Sequence, residues 1–258
     1  MSMFNRMLAS IGIGSAKVDT LLEKARYAPG EEVRGVVKLN GGQVAQQIDG
    51  IRLQLMSQYV KEVDDRKTTY QHELARFRVS DAFSIQASEA REIPFSFILP
   101  SNVPLTIGTA PVWLKTELDI PSAIDPTDND RIEVVPTVEQ SIIIDGVNRL
   151  GFRLRKAECE YAARLGGSLP FVQEFEFVPT SHFRGDLDEL EIMFFTTEQG
   201  IELLIQIDRR ARGFAGLFAE AMDMDETFVR YRRSLKELRE LGAEGFSQEL
   251  ADIIRRHL

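Results

Sequence analysis

The stretch Ile51-Arg52-Leu53-Gln54-Leu55-Met56-Ser57-Gln58 alternates residue by residue. Ile51, Leu53, Leu55 and Ser57 point one way; Arg52, Gln54, Met56 and Gln58 point the other. Successive side chains of a strand leave on opposite faces, so this period of two marks a strand with one face buried. Upstream, Val18, Thr20 and Leu22 alternate with Asp19, Leu21 and Glu23. The turn signal Ala28-Pro29-Gly30 leads to a second run bearing Val33, Val37 and Leu39, closed by Asn40-Gly41-Gly42. Proline presets one turn angle and glycine admits a positive φ, so the pair reads as a hairpin or Greek-key corner. Downstream, strand-like runs recur at 68–79, 91–99 and 112–120, with Pro94, Pro100, Pro104 and Pro111 near their edges. Proline cannot donate to a ladder and marks edge strands or strand starts. Short strands separated by turn signals are the pattern of a β-sandwich.

Between Asp119 and Pro136 the composition shifts. Asp119, Asp125, Asp128 and Asp130 crowd a proline-containing loop, followed by a strand at 131–135 that Pro136 closes. A domain boundary is placed there. Residues 138–150 carry Val138, Ile142, Ile143, Val147 and Leu150 at helical spacing, although Ile142-Ile143-Ile144 also fits a buried strand. In the second half, Phe175 and Phe177 alternate with Glu174 and Glu176. Leu190, Ile192 and Phe194 form one further strand and Ile201, Leu203, Ile205 and Ile207 another, with a glycine-containing hairpin loop at 198–200 between them. A last strand is expected around Val229 and Tyr231. Ser234-Leu235-Lys236-Glu237 then matches a capping box, starting a helix that ends near Gly242, with a second helical piece carrying Phe246, Leu250, Ile253 and Ile254. The expected organisation is a short amphipathic helix at 1–15, β-sandwiches at 16–136 and 137–233, and a helical segment at 234–258.

Composition narrows the function. The 258 residues have a formal net charge of -9, which disfavours a nucleic-acid binder, since duplex affinity comes from Lys and Arg neutralising phosphates. The single cysteine, Cys159, cannot form an internal disulfide and points to the reducing cytoplasm. No apolar run approaches the roughly 20 residues that span a bilayer. At the N-terminus, Phe4, Met7, Leu8 and Ile11 lie at helical spacing beside a single basic residue, Arg6. Such a stripe packs on its own chain or docks on a partner subunit; the scarcity of cations weakens a membrane-surface role.

Catalytic constellations are missing. His72, His182 and His257 are far apart, with no Cys or His at ligand spacing. Cys159 lies between Glu158 and Glu160, a setting that disfavours a thiolate. Gly12-Ile13-Gly14-Ser15-Ala16-Lys17 fails the spacing of a phosphate loop. Asp125, Asp128 and Asp130 are weak metal candidates, because the stretch lacks a sharp-turn glycine and a terminal bidentate glutamate. Arg209, Arg210 and Arg212 beside Asp208 make a fork-rich cluster. It reads as a solvated turn, as an ion-pair network with Asp119, Asp125, Asp128 and Asp130 across the domain boundary, or as a phosphate-ligand site. The carboxylates Asp186, Asp188, Glu189 and Glu191 read as surface charge.

Several stretches carry a family resemblance. They are Leu8-Ala9-Ser10-Ile11-Gly12-Ile13-Gly14-Ser15-Ala16-Lys17-Val18-Asp19-Thr20, Tyr27-Ala28-Pro29-Gly30-Glu31-Glu32-Val33, Leu169-Pro170-Phe171-Val172-Gln173-Glu174-Phe175-Glu176-Phe177 with Pro179 following, Leu187-Asp188-Glu189-Leu190-Glu191, and Asp208-Arg209-Arg210-Ala211-Arg212-Gly213. Together they resemble the bacterial sporulation-control protein M family; the last thirty or so residues carry no such match. The resemblance implies an all-β chain of two tandem arrestin-like, immunoglobulin-like β-sandwiches with short helices at both ends. It also implies a non-enzymatic regulatory role at the onset of sporulation, or more broadly in cell-cycle or stress control. The implied partners are proteins, including the division or cytoskeletal apparatus, and no catalytic residue or cofactor carries over. The resulting expectation is a cytoplasmic scaffold or adaptor, dimeric through Phe4, Met7, Leu8 and Ile11. Two alternatives stand beside it: a metal-dependent hydrolase using Asp125–Asp130, and a reversible membrane-surface protein using the N-terminal helix.

Overall fold

A computed structural model of the chain describes residues 15–64, 66–121, 125–197, 199–208 and 228–258. Strands dominate it, and the chain divides into two compact units. Described residues up to Ser57, with those of Gln71–Val103 and Pro111–Val134, make up the first; those of Gln58–Tyr70, Pro104–Ala110 and the described residues from Val135 make up the second.

The first unit is built on two principal sheets. In one, β1 (Lys17–Leu22), β3 (Glu32–Asn40) and β8 (Ala90–Ile98) lie in the order β1-β3-β8, all antiparallel. In the other, Gly50–Ser57 of β5 (Gly50–Val63) pairs antiparallel with β9 (Val112–Asp119), which pairs with β10 (Thr127–Val134). The short β2 (Arg26–Tyr27) adds parallel to β10, and β6 (Arg66–Ser80) flanks β5. A small pair, β4 (Gln46–Ile48) and β7 (Phe83–Ile85), stands apart. The alternation expected of β5 is observed: Ile51, Leu53, Leu55 and Ser57 are fully buried. They join Val33, Val37 and Leu39 of β3 and Leu114 and Leu118 of β9 in the core. Ser57 can be buried because its hydroxyl donates to the Pro111 carbonyl at 2.9 Å. Pro94 lies in β8, an edge strand, where a missing N–H is tolerated.

The acidic stretch is not a loop throughout, because β10 begins at Thr127 and 127–132 are laddered on β9. Backbone pairing to a central strand outweighs the low strand propensity of Asp and Asn.

The second unit carries an antiparallel sheet of β11 (Phe152–Tyr161), β12 (Phe171–Pro179), β13 (Glu189–Thr196), β14 (Gly200–Asp208) and β15 (Val229–Ser234). Val60 of β5 adds a parallel partner to Glu160 at its β11 side. One face of the sheet carries Phe175, Phe177, Leu190, Ile192, Leu203, Ile205 and Tyr231, all buried. The C-terminal helical segment packs on this face, with Phe246 edge-on to Tyr231 at 5.4 Å between ring centroids. The segment after Pro136 resolves as helix α1 (Val138–Arg149), not strand. Thr137 caps it through a reciprocal box with Gln140, which satisfies two otherwise orphaned backbone donors. Helix α2 (Leu235–His257) has the expected box at Ser234 and Glu237. It breaks at Gly242, whose φ of 63° is open to glycine and strained for other residues, so the two helical pieces read from the sequence are both present. Helices therefore pack on this face of the second sheet.

Candidate functional site: a buried glutamate cluster

The face of the second sheet opposite to the helices is polar and yet buried. Antiparallel register sets its side chains in rows. Lys156, Glu176, Glu191 and Gln206 stand opposite one another across β11, β12, β13 and β14. Glu158, Glu174, Met193 and Leu204 form the next row. Met193 and Leu204 of this row join Ala162 and Val172 in a small apolar cluster, with Leu165, Phe195 and Phe228 against it. The alternation that sends Phe175 and Phe177 to the helices thus sends Glu174 and Glu176 to this face. Glu174 is 3% exposed, Glu191 1% and Gln206 5%.

Two cations serve the face, and a β-bulge supplies both. The β11–β12 register slips between Leu154 and Lys156, leaving Arg155 as an extra residue. A bulge re-aims side chains that strict alternation would send to opposite faces. Arg155 and Lys156, although consecutive, both reach Glu176, at 2.8 and 3.3 Å. Arg155 also contacts Glu189, which is buried, and Lys156 lies 2.7 Å from Glu158 and 3.0 Å from Glu160. Hydrogen bonds to Glu158 and Glu160 outweigh burial and raise the Lys156 pKa, keeping it a cation.

Glu174 sits in a different environment. Burial first, then the charges of Glu160, Glu191 and Glu176, push its carboxyl up to about 10. Among the described residues its Oε1 finds no hydrogen-bond donor, and neither does Oε1 of Gln206. One carboxylate oxygen from each of Glu174, Glu176 and Glu191 lies within 4.8 Å of the others. Among the described residues this is the group of His, Cys, Asp and Glu side chains that converges as metal ligands do.

Reading Glu189 and Glu191 as surface charge is therefore corrected: both are buried. The signal was present in the sequence as Glu158-x-Glu160, Glu174-x-Glu176 and Glu189-x-Glu191, three strands with glutamates at period two. Their burial depends on which strands become neighbours, and that no single strand encodes.

The residues singled out from the sequence are placed elsewhere. Asp119 pairs with Arg52, which also lies 3.6 Å from Glu117. Asp125 accepts from the Ile120 N–H at 3.0 Å. Asp128 accepts from the N–H groups of Thr20 at 2.7 Å and Asn129 at 2.9 Å. Asp130 is half-buried, and burial together with Asp128 and Asp19 raises its pKa to about 6. These contacts all lie within the first unit. Asp208 ends β14 opposite Glu189. Its side chain lies outside the described residues, as do Arg209, Arg210 and Arg212 and the stripe Phe4, Met7, Leu8 and Ile11. Cys159 is buried among the core residues, and burial, with Glu158 second, pushes its thiol pKa up, so it is no nucleophile. His257 contacts the Ile253 carbonyl at 2.8 Å. No helix among the described residues is long and apolar enough to cross a membrane.

These features define a mostly-β protein whose conspicuous chemistry is a buried set of ion pairs. The chain belongs to the SpoOM protein family, whose family model matches residues 4–211. It is 44% identical over 261 residues to the sporulation-control protein spo0M of Bacillus subtilis (strain 168), covering 100% of this chain and 98% of that protein. The crystal structure of Spo0M, sporulation control protein, from Bacillus subtilis matches with a TM-score of 0.90 and 44% identity over 95% of this chain and 100% of that one.

Proposed function

We propose that this chain is a non-enzymatic regulatory adaptor in sporulation control, or in related cell-cycle or stress control, built as two arrestin-like units divided near Pro136. The observation that carries the reading is the edge of β8. Among the described residues β8 pairs on one side only, with β3, and its terminal Ile98 is 59% exposed. A strand edge offers a row of N–H and C=O groups to which an extended peptide adds as a further strand, with neighbouring side chains setting specificity. The opposite edge, β1, is less available, since Asp128 occupies the Thr20 N–H. The engagement of Asp125 and Asp128 by backbone donors also favours an adaptor over a metal-dependent hydrolase at that stretch.

The adaptor acts in the cytoplasm, on protein partners that include the division or cytoskeletal apparatus, and dimerises through Phe4, Met7, Leu8 and Ile11. The test is a photoreactive residue placed at Glu92 or Ile98 of β8 in cells, with Lys236 on the exposed side of α2 as the control position. A discrete adduct with another protein from β8 and none from Lys236 is expected. Adducts equal at both positions, or none at β8, overturn the reading. Light scattering of the chain lacking residues 1–14 tests the dimer contact: an unchanged mass counts against it.

A further inference from the structure

The glutamate cluster belongs to the second unit and β8 to the first, and the adaptor reading makes no use of the cluster. We propose that Glu174, Glu176 and Glu191, together with the amide oxygen of Gln206, form a binding site for a hard divalent cation, with Ca²⁺ the best fit.

The geometry comes first. Glu176, Glu191 and Gln206 are register neighbours on three adjacent strands, and Glu174 is two residues along from Glu176 on the same face. The three carboxylates offer oxygens within 4.8 Å of one another. Three oxygens within 4.8 Å of one another share a point no more than about 2.8 Å from each, so small side-chain adjustments bring all three to the roughly 2.3–2.6 Å at which oxygens ligate Ca²⁺.

Unmet bonding comes second. Oε1 of Glu174 and Oε1 of Gln206 are acceptors in residues only 3% and 5% exposed, and neither finds a donor among the described residues. A buried acceptor left unmet costs about 1–3 kcal/mol. Gln206 is independent of the acidic cluster in charge, in strand and in chemistry. Yet the register places it directly opposite Glu191, with an unpartnered oxygen. An ion satisfies both orphaned acceptors in one step.

Charge comes third. Lys156 is shared among Glu158, Glu160 and Glu176, and Arg155 between Glu176 and Glu189. Six carboxylates thus surround two cations, and neither cation reaches Glu174 through any of these contacts. The donors are all oxygen, with no imidazole or thiolate, which selects hard ions and disfavours Zn²⁺.

Two proton-based arrangements compete with the ion. Glu174 can hold a proton and donate it to a neighbouring carboxylate, or the Gln206 amide can be turned so that its NH₂ faces Glu191. Both predict a cluster indifferent to divalent cations, and the experiment separates them from the proposal. The full chain is stripped with chelator and titrated with Ca²⁺, Mg²⁺ and Mn²⁺ up to about 1 mM, while Tm is followed by calorimetry and bound metal by elemental analysis. The expected result is one ion per chain, with Tm rising as the ion is added. Glu174→Gln and Gln206→Leu each weaken binding about tenfold or more while circular dichroism stays unchanged. Glu→Gln substitution also relieves repulsion and can raise the metal-free Tm, so the cation-dependent increment is the readout. Asp128→Asn serves as the control and leaves the increment intact. The proposal is overturned by the absence of stoichiometric metal and of any Tm change, by an increment that survives Glu174→Gln, or by one that Asp128→Asn abolishes.

Discussion

Arg155 holds two buried carboxylates from neighbouring strands at once, lying 2.8 Å from Glu176 of β12 and in contact with Glu189 of β13. The guanidinium fork suits this role, since its donors diverge in a plane while an ammonium acts as a point charge. Removing one member of such a group leaves a buried charge uncompensated. Arg155→Met is expected to cost about 2 kcal/mol in urea unfolding, below the full buried-pair figure because Arg155 is half-exposed. Arg155→Met with Glu189→Gln should recover more than half of that loss. A double variant no more stable than the single one would show that the cost is lost packing and not charge.

Asp130 gives the first unit a dependence on pH. Its carboxyl has a pKa of about 6 in the folded chain, above its ordinary value of 3.8, because of burial and the charges of Asp128 and Asp19. A raised carboxylate contributes stability below its unfolded pKa and loses it as pH rises through the folded one. Stability from this group should therefore fall between about pH 4 and pH 6 and stay low above. Asp130→Asn removes the penalty. It should stabilise the chain at pH 7.5 by on the order of 1 kcal/mol, allowing for solvent screening, and by almost nothing at pH 4. Unfolding curves at the two pH values measure the difference.

Gly146 reverses the usual helix rule. Alanine inside a helix is ordinarily about 1 kcal/mol better than glycine. A Cβ on Gly146 of α1, however, would lie 2.6 Å from Cδ1 of Phe246 and 2.9 Å from the Ala243 carbonyl oxygen in α2. The two helices approach closely because no side chain stands between them. Gly146→Ala should lose about 2 kcal/mol, and pairing it with Phe246→Leu should restore part of this by freeing the ring's volume.

Ser234 joins β15 to α2 and accepts from the Glu237 N–H at 3.2 Å, while the Glu237 carboxylate accepts from the Ser234 N–H at 2.8 Å. Ser234→Ala should cost about 1 kcal/mol and Ser234→Asp very little. A comparable loss in both variants would assign the effect to something other than the cap.

The two units differ in how much of them the sequence disclosed. The strand at Ile51–Ser57 was legible because one face is apolar and the other polar, so the period of two stands out. The same holds for the box at Ser234, where two residue types three apart carry the mechanism. Residues 138–150 stayed ambiguous because Ile142-Ile143-Ile144 erases the period, and only the cap at Thr137 and the packing on α2 settle it. Asp128 and Asp130 read as loop because aspartate disfavours strands, and pairing with β9 overrode that preference. The glutamate cluster was invisible for a different reason. Glu174 and Glu176 look solvent-facing in any single strand, and their burial follows from the adjacency of β11, β12, β13 and β14 together with a bulge at Arg155.

The course of the chain through the two units bears on how the protein is made. Residues 58–70 and 104–110 belong to the second unit, although the bulk of it starts only at Val135. Val60 meets Glu160, and Tyr59 stacks on Tyr161 at 6.1 Å and on Phe171 at 5.3 Å between ring centroids. At about 5–20 residues per second of synthesis, Tyr59 leaves the ribosome some 5–20 s, by the same rates, before Tyr161 and Phe171. For that interval Tyr59 of a nascent chain has Tyr70, on which it stacks at 5.7 Å, but lacks the two rings of the later strands, which makes this strand end a natural client for a holding chaperone.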